Sequence, residues 1–156
     1  MTGDIISFCG VSGSGKTKLC CEVLPILKSR GEVFGFYSPG NFDTGSKTAI
    51  DLVLLPQEKM YRLCQLDALP GALKFGKWYY FGETLTVVKK HLKNYNAQPY
   101  VMFDEIGPLE VEQGKGWTEI LDLLKNIYFK AAIITYRPSL SDYFRTNYPD
   151  IKEFRL

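Results

Sequence analysis

No apolar run in this 156-residue chain approaches the ~20 residues that a membrane-crossing helix requires, so a helical span is not expected. Charge of one sign is not in excess either. Its 19 Lys and Arg against 17 Asp and Glu leave a net charge of +2, with no electrostatic reason to expect nucleic acid or an anionic membrane as partner. Histidine is nearly missing: His91 stands alone among Lys89, Lys90 and Lys93, lacks partners for metal ligation, and reads as part of a solvated basic face. The four cysteines form no C-x-x-C pair, and the adjacent Cys20 and Cys21 are poorly placed for a disulfide. With Cys9 and Cys64 they read as buried thiols in a reducing cytoplasm, without a reactive role. Repeats, low-complexity tracts and linkers are absent, and Met1-Thr2-Gly3-Asp4 leads into a strand without a basic region or cleavage signal. A composition of 46% hydrophobic and 23% charged residues is that of an ordinary globular chain, and the expectation is one domain over residues 1–156.

What is present begins with Gly10-Val11-Ser12-Gly13-Ser14-Gly15-Lys16-Thr17, a complete Walker A phosphate-binding loop. Its glycines let the backbone turn with positive φ and approach an anion. Successive N–H groups then point inward as a phosphate cradle, backed by the positive end of a helix dipole. Lys16 supplies a point charge for the β and γ phosphates, and the Thr17 hydroxyl is a Mg²⁺ ligand. The context agrees, because Asp4–Cys9 is a short strand-forming run and Lys18–Leu24 reads as a helix start.

Strands and helices alternate along most of the chain. A first helix is expected from Lys16 to about Ser29, with Pro25 kinking it or ending it early. Glu32–Tyr37 is the second strand. From Ser38 to Phe81 the pattern changes to short strands at Thr48–Leu55 and Tyr61–Gln65, followed by the aromatic run Trp78–Phe81, an antiparallel β insertion. Helices follow at Glu83–Asn94, Trp117–Asn126 and near Ser141–Thr146, with strands at Tyr100–Asp104, Ala131–Tyr136 and near Ile151–Phe154. The fold class is α/β: a three-layer P-loop sandwich with a mostly parallel central sheet and helices on both faces.

Asp104-Glu105 follows a strand with a strongly apolar run, where a Walker B pair belongs. Ligands in such folds sit at the carboxyl ends of strands, so Asp104 can approach the Mg²⁺ held by Thr17, and Glu105 can orient or deprotonate an attacking water. Arg137, directly after a strand, is the first candidate for a cation on the transferring γ-phosphoryl group, ahead of Lys47, Arg62 and Arg145; an exposed surface arginine is the plainer alternative. Trp117 either anchors its helix in the core or stacks on a base, and the Trp78–Phe81 run is read as sheet packing.

These residues resemble the small P-loop nucleoside-triphosphatases, the family of the cancer-related nucleoside-triphosphatase and its thermostable archaeal and bacterial homologues. The likeness spans nearly the whole chain and rests on Asp104-Glu105-Ile106-Gly107-Pro108-Leu109-Glu110, with Gly35-Phe36-Tyr37, Gly45 and Asp51-Leu52-Val53. It implies Mg²⁺-dependent hydrolysis of nucleoside triphosphates to diphosphate and phosphate with loose base preference, through Lys16, Thr17, Asp104 and Glu105. Ser38-Pro39-Gly40-Asn41-Phe42 departs from the acidic, arginine-bearing stretch of many members, and Lys47 stands where a family arginine would be, keeping the charge without the bidentate fork. Two other functions remain open: a nucleotide-dependent switch with slow turnover, and a P-loop kinase acting on a small acceptor.

Overall fold

Short apolar runs at Asp4–Cys9 (β1), Val33–Tyr37 (β2), Tyr100–Phe103 (β8) and Ala131–Tyr136 (β9) form the centre of a ten-stranded sheet, with β10 (Lys152–Arg155) at its edge. The computed structural model describes residues 3–156; Met1 and Thr2, expected to lead into β1, lie outside the described residues. The order β10-β1-β9-β8-β2 is parallel throughout. Beyond β2 the sheet continues antiparallel through β4 (Ser46–Leu55), β5 (Lys59–Gln65), β7 (Trp78–Tyr80) and β6 (Leu73–Phe75). The long β4 is shared: its second half pairs with β2 (Tyr37 opposite Val53) and its first half with β3 (Gly40–Asp43; Gly40 opposite Ile50). The antiparallel insertion is therefore a wing of the same sheet.

Helices cover both faces. On one, α1 (Lys16–Lys28) packs Cys20, Leu24 and Leu27, spaced for a single helical stripe, against Phe8, Val33, Met102 and Ile133. On the other, Val88 and Leu92 of α2 (Gly82–Lys93), Ile120 and Leu124 of α4 (Glu119–Asn126) and Phe144 of α5 (Ser141–Asn147) bury Phe34, Phe36, Val101, Phe103 and Ile134. Strands sandwiched this way must be apolar on both sides, which is why β8 and β9 read as continuous hydrophobic runs. No helix among the described residues is long and apolar enough to cross a membrane.

Several local expectations need correction. α1 continues through Pro25 to Lys28 instead of ending early, since the proline falls in its last turn, where one lost hydrogen bond matters least. Trp117 precedes α4, which begins at Glu119; positive φ at Gly114 and Gly116 turns the chain there. A one-turn helix, α3 (Pro108–Val111), was not anticipated; it starts with proline at its first position, and the Glu110 carboxylate accepts the Gly107 N–H. His91 is not solvated: its ring stacks on Phe34 at 4.5 Å between centroids, and burial lowers its pKa. Cys9, Cys20 and Cys64 are buried, but Cys21 is exposed, because adjacent helical residues point about 100° apart.

At the far edge, the Glu153 carboxylate of β10 accepts hydrogen bonds from Tyr136, Ser141, Arg145 and Arg155 at 2.6–2.9 Å. Burial works to raise its pKa, and those four donors outweigh it, holding it at about 2. A folded value below the ordinary 4.5 means the cluster stabilises the fold above about pH 4.5, a contribution lost as pH falls through about 2. Glu153→Gln is therefore expected to be less stable than the parent at neutral pH, with the gap shrinking at about pH 3 and below. Urea unfolding at both pH values checks this; a gap independent of pH would mean the cluster acts by packing alone.

Candidate active site

Four strand ends lie along one rim. Cys9 lies opposite Tyr136, and Phe103 lies opposite both Ile134 and Phe36. The segments that follow β1, β9, β8 and β2 are therefore neighbours: the phosphate loop, Arg137, Asp104-Glu105 and Ser38. The loop is anchored where Gly10 N–H donates to Tyr136 O at 3.2 Å, and a Cβ at Gly10 would run into the Ser14 hydroxyl. Gly15, at φ 99°, turns the chain into α1 through the left-handed region, where a side chain would be strained.

A pocket of about 270 Å³ opens over this loop, lined by Ser12, Gly13, Gly15, Lys16 and Thr17, with Lys47 and Glu105 closing it from other segments. Val11 is exposed and Ser14 turns inward, its Oγ buried without a hydrogen-bond partner. The Lys16 ammonium donates to Gly10 O at 2.7 Å and Val11 O at 2.9 Å, so the loop's own carbonyls hold it. Burial lowers its pKa; the Glu105 carboxylate pulls the other way, Arg137 pushes further down, and Asp104 and Lys47 add smaller opposed effects. All four charges thus bear on one ammonium. Lys16 and Thr17 border one space with Glu105, a residue far from them in sequence.

Asp104 is 1% exposed, and its carboxylate is held by three donors. Oδ2 accepts from Ser38 N–H at 3.0 Å and Ser38 Oγ at 3.1 Å, and Oδ1 accepts from Thr135 Oγ1 at 2.8 Å. Thr135 Oγ1 in turn accepts the Glu105 N–H at 2.6 Å. Glu105 adopts φ 76°, a left-handed conformation that costs a non-glycine residue about 1–2 kcal/mol. The turn sends Asp104 inward and leaves Glu105 facing the pocket. Arg137, half exposed, places its guanidinium 3.6 Å from Glu105 Oε1. Of the weaker candidates, Lys47 lines the pocket, while Arg62 is paired with Asp51 and Arg145 with Glu153, and neither borders it.

The donors fit a small hard cation. Thr17 borders the pocket; Asp104 does not, lining the adjoining cleft that also meets Glu105, and its carboxylate, with three hydrogen bonds already accepted, has capacity for about one more partner, such as a metal-bound water. Among the described residues no cluster of three or more His, Cys, Asp or Glu could hold a metal, so a cation here needs phosphate oxygens and water to complete its shell.

Sequence reading missed Ser38 and Thr135. Their only signal is positional: each is a hydroxyl residue at the carboxyl end of a strand flanking β8, and that is visible only once strand order is known.

A family model described as NTPase matches residues 5–154. No curated protein sequence matches the chain. Among solved structures, the solution structure of a human cancer-related nucleoside triphosphatase superposes with a TM-score of 0.69 at 20% identity, covering 100% of this chain and 89% of that one. The crystal structure of THEP1 from the hyperthermophile Aquifex aeolicus superposes with a TM-score of 0.64 at 17% identity, covering 99% of this chain and 90% of that one.

Thr135→Val keeps the shape of a fully buried side chain while leaving Asp104 Oδ1 and the Glu105 N–H without their partner. The expected cost is about 1–3 kcal/mol in denaturant unfolding. An unchanged midpoint would mean that this hydroxyl does not hold the acidic pair.

Proposed function

The chain belongs to this NTPase family, and from that premise we propose that it is a Mg²⁺-dependent nucleoside-triphosphatase releasing diphosphate and phosphate. The observation that carries the reading is the shared pocket of Lys16, Thr17 and Glu105. The loop N–H groups and Lys16 bind the β and γ phosphates, Lys16 exchanging its contacts to Gly10 O and Val11 O for phosphate oxygens. Thr17 and Asp104 hold Mg²⁺, which when bound neutralises charge on those phosphates. Ser38 and Thr135 keep the Asp104 carboxylate in one orientation.

Glu105 is the base. Its Oε atoms take a proton from water as the oxygen attacks Pγ, and the Pγ–Oβ electron pair leaves with the diphosphate. Arg137, resting on Glu105 before substrate arrives, swings to the γ-phosphoryl group and balances its charge, with Lys47 as the neighbouring cation. Every group so assigned touches the phosphates or the water and none a base, which supports loose base preference. Residues 1–156 act as one catalytic domain. Four free cysteines support a reducing, cytoplasmic setting.

Lys16→Ala is expected to abolish nucleotide binding and turnover. Glu105→Gln is expected to keep binding while turnover falls by about 10²–10⁴-fold. Phosphate release and equilibrium binding, measured over ATP, GTP, CTP, UTP and their deoxy forms with and without Mg²⁺, check both. Parent-like turnover in Glu105→Gln would remove the base assignment, and undiminished release under chelation would remove the metal.

A further inference from the structure

Glu105, which borders the phosphate-loop pocket, also lines a second space together with Arg137: a cleft of about 570 Å³ between the antiparallel wing, α2 and the segment after β8. Its volume is that of a small-molecule site. Its walls are apolar and aromatic, including Phe36, Leu52, Leu63, Trp78, Tyr80 and Trp117. The walls are also fixed. Trp117 Nε1 donates to Leu85 O at 3.2 Å, and the Trp117 N–H is held by Glu110 Oε1 at 3.2 Å. Two charged groups of the wall are compensated: the Glu110 carboxylate takes the Gly107 and Trp117 amides, and Lys89 lies 3.6 Å from Glu119, while Lys115 is exposed at the rim. Apart from the exposed Lys115, what the cleft offers a ligand is thus neutral and aromatic, with reactive groups at one end.

Resting on the nucleotide reading above, we propose that this cleft binds a neutral aromatic alcohol and presents its hydroxyl to the γ-phosphoryl group as an acceptor that competes with water. Lys16 and Thr17 engage the β and γ phosphates, and Glu105 is the acidic side chain lining that pocket, so the γ end faces Glu105. Glu105 also lines the cleft, so the two spaces meet at this residue. In the transfer, the alcohol oxygen forms the new O–Pγ bond, its proton passes to Glu105, and the Pγ–Oβ bond breaks with its electron pair leaving on the diphosphate. The products are a phosphate monoester and a nucleoside diphosphate, with no oxidant or reductant required.

Both tryptophans of the chain line the cleft, so its occupancy is read directly from intrinsic fluorescence. The full chain is titrated with thymidine, pyridoxine and 2-phenylethanol, then incubated with each plus Mg·ATP while ³¹P NMR follows ester and inorganic phosphate. The expected result is a saturable fluorescence change with at least one alcohol, and a phosphate ester growing at the expense of free phosphate. Thr86→Phe, which adds bulk from an exposed α2 position on the wall, should lower the ester-to-phosphate ratio about tenfold, a shift of about 1.4 kcal/mol in partition. No fluorescence response, or binding without ester, overturns the proposal while leaving acceptor-free phosphate release intact. A raised KM for ATP in Thr86→Phe without any alcohol overturns it too, by assigning the cleft to the nucleoside. Failure of acceptor-free release would strike the hydrolase reading instead.

Discussion

A single buried carboxylate joins three of the four strands on which the site is built. Asp104, at the end of β8, draws in Ser38 from the end of β2 and Thr135 from β9 through short hydrogen bonds. A charge with almost no solvent contact is costly unless donors surround it, so these strand ends are held level by the demand to satisfy it. The phosphate loop is tied into the same rim through Gly10 and Tyr136, and Glu105 is aimed by the amide that Thr135 receives. Loosening Asp104 would leave the loop intact and misplace everything that faces it.

Around that centre the charges are arranged for exchange. Lys16 is held by carbonyls of its own loop, and Arg137 rests on Glu105. Each cation is thus desolvated or oriented before an anion arrives. A phosphate replaces weak intramolecular partners, with little reorganisation of surrounding solvent.

The central sheet and the phosphate loop were legible in the sequence because both are local patterns: apolar runs of strand length, and an octet whose glycines sit where the backbone must turn. The antiparallel wing was legible as a loss of alternation, though its two short strands β3 and β6 were not. What escaped depends on contacts between distant segments. Ser38 and Thr135 carry no motif, and their importance exists only beside Asp104. His91 looked solvated from its lysine neighbours on α2, but Phe34 of β2 covers its ring. Arg62 and Arg145 rank behind Arg137 in the sequence only by position, and the fold adds that Asp51 and Glu153 occupy them. Glu110, the last residue of the stretch that carries the family resemblance, holds the Gly107 and Trp117 amides and so shapes a wall.

The strand order also fixes when the site can exist. β1 carries the phosphate loop, yet its two sheet neighbours are β9 and β10, the last strands of the sheet in chain order. During synthesis the hairpins of the wing can close locally within a few residues of emerging from the ribosome, while β1 waits for partners more than a hundred codons downstream. β1 is made before the other strands of the sheet and is consequently among the last of them to be assembled, and a nascent chain lacking β9 has a glycine-rich loop with no rim to anchor it.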